Sequence, residues 1–248
     1  MKNFSRRGFL LITGGAGLAG LFGCAPVQKQ PETAQAAQSA FEWTELEQAR
    51  ISQQRPDFDV VVQKGSECAV LRQKARPVPA DLDLSEVEKR MKKTMEKAGG
   101  VGIAGPQVGL GIQVAVLMLD YKSPAPRTIF VRNPVIIERS DEVEIGYEGC
   151  LSVPGVGGQV YRNRWIRVEY INENGEKVTE EAEGYNAVLW QHELDHLEGI
   201  LYVDKLQGEL LPMEEVRRLR KEMEEKKKAA TAENPSDTAE EPDKPASD

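Results

Sequence analysis

The chain has 248 residues, of which 40% are hydrophobic and 29% are charged, a composition typical of a globular domain with accessory segments. Its formal net charge of -8 argues against nucleic acid as a partner, because phosphate binding relies on clustered Lys and Arg. Three cysteines are too few for a disulfide framework, and the two histidines restrict any imidazole chemistry to one short stretch of chain.

The first 23 residues are predicted to be an export signal. Arg6 and Arg7 resemble a twin-arginine signal, and a long uncharged run follows them. This run ends in a lipobox-like segment at residues 21–24, so Cys24 is the predicted lipidation site. A transmembrane anchor is the alternative, but six glycines make the run a poor spanning helix. Both interpretations place the bulk of the chain outside the cytoplasm and tether it to a membrane; a cytoplasmic location is the competing hypothesis.

Residues 24–40 are rich in Gln, Ala and Pro and are predicted to form a flexible tether. The folded body is expected to cover residues 41–207. Its first predicted helix covers residues 85–98 and begins with a capping box made by Ser85 and Glu88.

A block of strands is predicted between this helix and a second helix at residues 185–197. An Asn-Glu-Asn-Gly sequence at 172–175 predicts a hairpin. The predicted strands are short and rich in β-branched residues; they cover residues 112–119, 128–131, 135–137, 143–147, 166–171 and 177–182. Strands in one block with a helix on either side indicate an α+β fold, with short mixed or antiparallel strands around the second helix.

The C-terminal region is predicted to carry no chemistry. Residues 208–230 mix acidic and basic side chains at helical spacing, which predicts a solvent-exposed charged helix. Residues 231–248 are acidic and contain no large apolar side chain, which predicts a disordered tail.

The second predicted helix contains an HExxH motif at residues 192–196. A spacing of four places His192 and His196 on one helix face, where both imidazoles can bind one metal ion. Glu193 would project beside them toward a bound water. The motif therefore predicts a catalytic metal site that still requires a third protein ligand.

No third histidine exists, which excludes the metzincin class. A glutamate of the C-terminal helix is one candidate for the third ligand. The thiolate of Cys150, which directly follows a predicted strand, is the other. A buried small side chain and a nucleophile are the alternative roles for Cys150.

A glycine-rich segment, GVGIAGPQ, occupies residues 100–107 after the first helix. It contains no lysine and no helix follows directly, which argues against a nucleotide site. Its glycines allow close approach of a ligand backbone, and Gln107 at its end can donate a hydrogen bond to an oxyanion.

Three motifs, GVGIAGPQ, EGCLS at 148–152 and QHELDH at 191–196, occur in this order, and the chain resembles the peptide deformylases over about residues 58–206. The resemblance implies that Cys150, His192 and His196 bind one divalent metal. Ferrous iron is expected by family habit, although two nitrogens and a sulfur also suit zinc, nickel or cobalt. Glu193 would be the general base and acid.

The resemblance further implies an oxyanion hole formed by Gln107 and the backbone N–H of Leu151. The substrate peptide would lie extended beside the glycine-rich segment at Gly102. Its first side chain would enter an apolar pocket lined by Val101, Tyr185, Val188 and Leu189. For these pocket residues, and for Val188 above all, core packing is the alternative interpretation.

These roles imply a metal-dependent hydrolase that removes the formyl group from N-formylmethionyl peptides and releases formate. A monomer is expected. The export signal suggests that it acts outside the cytoplasm. A related exported metalloamidase or peptidase with another substrate is one alternative. A non-catalytic lipoprotein that binds peptide or metal is another.

The chain departs from the family pattern at two places. Gly105 replaces the second alanine of the first motif, and residues 155–158 read GVGG where the family often carries an arginine that holds the substrate. Arg162 and Arg164 are possible substitutes but are expected to be exposed strand residues. Cys68 is expected to be buried without a role, and a disulfide to Cys150 would block the metal site.

Overall fold

A computed structural model describes residues 41–62 and 68–233. The predicted signal, the tether and the lipidation site at Cys24 lie outside the described residues, as do residues 234–248 of the predicted tail. Within the described part, no helix combines the length and the apolar character needed to cross a bilayer.

Four α-helices and eight strands make up the described fold. The helices are α1 (Glu45–Ile51), α2 (Ser85–Lys97), α3 (Gly184–Leu197) and α4 (Met213–Glu233). The strands are β1 (Gly102–Ala104), β2 (Val114–Leu119), β3 (Arg127–Arg139), β4 (Val143–Cys150), β5 (Val153–Asn163), β6 (Trp165–Ile171), β7 (Lys177–Glu183) and β8 (Leu206–Pro212).

The strands form two antiparallel sheets. One sheet has five strands in the order β1-β2-β3-β6-β7, and the other has three in the order β4-β5-β8. The predicted hairpin joins β6 to β7. The α+β class is confirmed, and the paired strands are antiparallel throughout both sheets.

Strand β2 of the five-stranded sheet is buried on both faces. Val114 and Val116 belong to the core cluster on the side of α2, whereas Ala115 and Leu117 belong to the cluster that contains Trp190 of α3. Alternate residues of a strand point to opposite faces, so an entirely apolar strand is the expected result. Burial of each large side chain contributes about 1.5–3 kcal/mol, and this packing fixes α3 against the sheet.

The two strands predicted at 128–131 and 135–137 are a single strand, β3. The register of β3 against β6 shifts between Arg132 and Val135. Asn133 has φ of 48° there, and its side chain both accepts from the Val78 N–H and donates to the Val78 carbonyl. Asn tolerates this left-handed conformation and Pro134 is tolerated at a bulge, so the strand continues through a dipeptide that usually ends one.

The predicted capping box of the first helix is wrong. The N-cap of α2 is Leu84, which has no capping side chain, and Ser85 is already helical. Oδ1 of Asp83 accepts the Ser85 N–H instead. The N-cap therefore lies one residue earlier than the sequence pattern indicates, and the side chain that accepts the Ser85 N–H lies two residues earlier.

Sequence analysis missed β1, β5 and β8, because glycine has a low strand propensity. In β5 a close backbone contact requires the glycine at 157, and a second glycine lies close to a side chain. A Cβ at Gly157 would lie 2.5 Å from the carbonyl oxygen of Glu148, and one at Gly158 would lie 2.2 Å from a methyl of Leu206. The glycine run at 155–158 thus contributes to sheet packing.

The boundaries of the C-terminal helix also differ from the prediction. Residues 208–212 pair with β5 as part of β8, and α4 begins only at Met213. The helix then extends to Glu233, so residues 231–233 are helical and not part of a disordered tail.

Candidate metal and catalytic site

The side chains of Cys150, His192 and His196 meet where the end of β4 faces α3. Sγ of Cys150 lies 3.2 Å from Nε2 of His196. One ligand atom from each of the three residues lies within 4.8 Å of the others, and this is the one such group found in the described part of the chain. The structure therefore favours Cys150 over a glutamate of α4 as the third ligand.

The second cysteine does not compete for this position. Cys68 and Cys150 are both free thiols, so the disulfide that would block the site is not formed. Cys68 is half-buried, not fully buried as the sequence suggested.

The chemistry of these donors fits a divalent metal. Nδ1 of His192 lies 2.7 Å from Oε2 of Glu148, a contact that orients the ring and leaves Nε2 for an ion. Burial alone would raise the pKa of the Cys150 thiol, but the neighbouring His196 and His192 rings outweigh it and hold that pKa well below its usual value. The thiolate is the form of cysteine that binds metals.

A buried ion-pair network holds Glu148, the residue that contacts His192, in place. Arg162 donates to both carboxylate oxygens of Glu148, at 2.6 and 2.9 Å, and to Asp195 of α3 at 2.5 Å. Burial would raise the pKa of Glu148, but its bonds to Arg162 and His192 lower it to about 2. Glu148 is thus held ionised as the partner of His192.

The expectation that Arg162 is an exposed strand residue is wrong, because its side chain is only 4% exposed. Arg164 is half-exposed and pairs with Glu142, as expected of a surface residue. Sequence analysis missed the roles of Glu148 and Arg162. Glu148 stands inside the EGCLS motif, but its contact with Arg162 joins residues that are not strand partners, since Arg162 lies opposite Glu144.

Glu193 is fully enclosed beside the three ligand residues. It is 2% exposed, and its Oε2 has no hydrogen-bond partner. Burial raises the pKa of Glu193 to about 7, against the opposing effect of the His192 and His196 rings. A Cβ at Gly102 would lie 2.2 Å from Oε1 of Glu193, so this glycine is required to make room for the carboxylate.

Gln107 is held in one orientation beside the site. Its Oε1 accepts the Ala104 N–H at 2.7 Å, and its Nε2 therefore points the other way, 3.4 Å from Sγ of Cys150. The side chain is 1% exposed. An amide held in this way offers a preorganised donor at the position where the resemblance implies an oxyanion.

A cleft of about 440 Å³ opens onto these groups. Each residue expected to contact substrate lines it; these are Val101, Gly102, Tyr185, Val188 and Leu189, together with Leu151. Val188 is half-buried and stands outside the core clusters, whereas Leu189 also belongs to the core around Trp190. The alternative of pure core packing is therefore not supported for Val188.

Helix α4 contributes to the cleft, which sequence analysis did not foresee. Val216 is fully buried, and Met213, Arg217 and Arg220 line the cleft. Nε of Arg220 donates to the carbonyl oxygen of Tyr147 at 2.9 Å. Apolar residues recur at helical spacing at positions 213, 216, 219 and 223, and this is a sequence signal for a packed face among the charged residues.

Comparisons with known proteins agree with this geometry. A family model described as polypeptide deformylase matches residues 59–210. A peptide deformylase from Thermosynechococcus vestitus is 38% identical over 149 residues, which cover 60% of this chain and 79% of that protein.

Comparison with solved structures also finds peptide deformylases. The crystal structure of peptide deformylase from Thermotoga maritima is similar with a TM-score of 0.55 and 38% identity, covering 62% of this chain and all of that one. A Met-Ala-Ser-bound class I type b peptide deformylase from Acinetobacter baumannii is similar with a TM-score of 0.55 and 34% identity, covering 60% of this chain and 98% of that one.

Proposed function

The chain belongs to the polypeptide deformylase family and is a peptide deformylase, a metal-dependent hydrolase, and on this premise we propose that it releases formate from N-formylmethionyl peptides. The observation that carries the proposal is the grouping of Cys150, His192 and His196 within 4.8 Å, with Glu193 and Gln107 beside them. These side chains supply ligands, a base and an oxyanion donor in one cleft.

The three ligand residues would hold one divalent metal. We propose Fe(II), with Zn, Ni and Co as the alternatives that the same donor set accepts. When bound, such a metal acts as a Lewis acid and lowers the pKa of a water ligand to roughly 7 to 9. Glu148 and Arg162 keep His192 oriented for this purpose.

Glu193 is proposed as the general base and acid. Its buried carboxylate has a free oxygen and a pKa of about 7, so near neutral pH it can accept a proton from the attacking water. The same carboxyl can then deliver this proton to the nitrogen of the leaving amine. The C–N bond of the formamide breaks, and the products are formate and a free peptide amine.

The negative charge that develops on the formyl oxygen is stabilised by hydrogen-bond donors. Nε2 of Gln107 is proposed as one, because Ala104 fixes its direction, and the backbone N–H of Leu151 as the other. Removal of one such donor typically costs about 3 kcal/mol of transition-state stabilisation.

The peptide is proposed to lie extended beside Val101 and Gly102, with its first side chain directed toward Val188. Tyr185 and Leu189 complete the walls of this pocket. The acidic net charge argues against nucleic acid as a partner. The enzyme is proposed to act as a monomer.

The experiment that tests this function is a formate-release assay on anaerobically purified protein, with metal analysis of the same sample. The proposal predicts about one equivalent of metal and formate release from formyl-Met-Ala-Ser. A fully metal-loaded protein that releases no formate would contradict it and favour another amide substrate or a binding role.

The location is a separate proposal, which rests on Arg6, Arg7 and Cys24. We propose that the protein is exported and held at the membrane by a lipid on Cys24. Fractionation of cells that produce the wild type and Cys24→Ser tests this. The wild type is expected in the membrane fraction and the variant outside it, whereas a cytoplasmic wild type that retains Met1 would contradict the proposal.

A further inference from the structure

A second cavity, also of about 440 Å³, adjoins the cleft and is here named the distal cavity. The cleft and the distal cavity share six lining residues: Tyr121, Tyr147, Glu148, Tyr185, Val188 and Arg220. Because the same six side chains line both spaces, the distal cavity adjoins the cleft at Val188 and Tyr185.

The course of β4 explains where the extra space comes from. Alternate residues of a strand face the same side, so Cys150, Glu148 and Gly146 follow one another along one face. Cys150 and Glu148 fill their positions with side chains bound to the histidines. Gly146 lies about 13 Å from Cys150 at about 3.3 Å per residue, and a Cβ there would meet nothing within 4 Å.

The walls around Gly146 are mainly apolar. Its cross-strand partner is Val160, which is 1% exposed. Val188 and Tyr185 come from the first turns of α3, and Met223 comes from α4. A space with such walls favours an uncharged occupant.

Six of the charged residues at the distal cavity pair with one another. Arg162 and Glu148 bind each other, and Glu148 also lines the cleft. At the rim, Lys122 pairs with Glu224, and Lys227 pairs with Glu144 at 2.5 Å. The two rim pairs connect α4 to the loop after β2 and to β4, and the charges within each pair neutralise each other.

We propose that the distal cavity extends the pocket for the first side chain of the substrate, so that the enzyme accepts formylated peptides whose first residue carries an unbranched, uncharged side chain longer than methionine. Gly146 is the residue that sets this length. The inference rests on the proposed function, because it concerns the substrate range of the same site.

The test compares formyl-Met-Ala-Ser with the same peptide in which 2-aminodecanoic acid replaces methionine. The wild type is expected to release formate from both. Gly146→Leu is expected to lower kcat/KM for the long substrate by about tenfold or more, because a side chain at 146 removes room for several methylenes, and to leave the methionyl substrate nearly unchanged. The variant is expected to fold, since the position is open and has no positive φ.

Met223→Trp fills the distal cavity from α4 and is expected to reproduce this selective loss. Val143→Leu is the matched control, because Val143 is an exposed residue of β4 outside the distal cavity. Val143→Leu is expected to leave kcat/KM unchanged for both substrates.

The outcomes separate the two proposals. A wild type that hydrolyses the methionyl peptide but rejects the long one overturns the extended pocket and leaves the deformylase function intact. Equal effects of Gly146→Leu and Met223→Trp on both substrates also overturn it. Failure of a metal-loaded wild type on both peptides contradicts the proposed function itself.

Discussion

The two ends of β4 differ in how tightly their surroundings are determined. At the C-terminal end, Cys150 and Glu148 are bound to both histidines and, through Arg162, to Asp195 of α3. Four residues further back, Gly146 faces open space. The first region, which holds the reacting groups, is fixed by several overlapping contacts, whereas the second region tolerates a change of side chain. The two proposals therefore assign chemistry and substrate range to different positions along one strand.

Glu193→Gln is expected to have the largest effect at the tightly determined end. Loss of the general base should lower kcat by about 10²–10⁴-fold, since the amide cannot accept the proton of the attacking water. Metal content should stay at the wild-type level, because Glu193 is not among the three ligands. Formate release and metal analysis on the same sample check this, and near-normal turnover would refute the role of Glu193.

Arg162→Met is expected to weaken the support of the same end. It leaves the carboxylate of Glu148 buried without its bidentate partner, which typically costs about 3–5 kcal/mol. Urea unfolding of the metal-free protein measures the change in free energy of unfolding. Arg164→Met, on the half-exposed neighbour, is the matched control and should cost less than about 1 kcal/mol. Similar losses in the free energy of unfolding for Arg162→Met and Arg164→Met would show that the buried ion-pair network contributes little to stability.

Gln107→Ala should lower kcat by about 10²–10³-fold, the usual effect of removing one oxyanion donor. The free energy of unfolding should be measured alongside, because Gln107 also accepts the Ala104 N–H. The exposed Gln207 provides the control variant Gln207→Ala, which should keep full activity. A Gln107→Ala protein that is folded and fully active would exclude this donor.

Lowering the pH is expected to destabilise the C-terminal end of β4, because Glu148 becomes protonated. Its pKa is lowered from 4.5 to about 2, so its contribution to stability is fully present above about pH 4.5 and is lost as the pH falls toward 2. The contribution is on the order of 3 kcal/mol. The metal-free wild type should therefore lose stability more steeply than Glu148→Gln over this range. Parallel pH profiles for the two proteins would contradict the lowered pKa.

Lys122→Ala tests the region around the distal cavity and should have the smallest effect on the free energy of unfolding. Its pair with Glu224 holds α4 over the distal cavity but is half-exposed on both sides. Such pairs contribute less than about 1 kcal/mol and are screened by salt. A larger, salt-independent loss of stability would show that α4 is held as firmly as α3.

The parts of the site that sequence analysis predicted are those encoded over short distances along the chain. The spacing of His192 and His196 follows from helical periodicity alone, and Cys150 and Gln107 stand in contiguous motifs. The grouping of the three ligand residues matches that prediction. The α+β class likewise follows from the order of local patterns.

The parts that were missed depend on contacts between distant segments. Arg162 looks like any polar strand residue, because its strand partner is Glu144 and only the folded side chain reaches Glu148. The glycines of β5 resemble a loop because the backbone and side-chain atoms that exclude a Cβ belong to other strands. Asn133 and Pro134 suggest a break in β3, and only the contact with Val78 explains why the strand continues.

The most direct test of the account is whether the thiolate of Cys150 shares one ion with the two histidines. Cobalt(II)-substituted wild type, Cys150→Ala and Cys68→Ser should be compared by absorption spectroscopy and metal content. The account predicts a sulfur-to-cobalt charge-transfer band and one bound cobalt in the wild type and in Cys68→Ser, and loss of the band in Cys150→Ala. A band that persists in Cys150→Ala would contradict it.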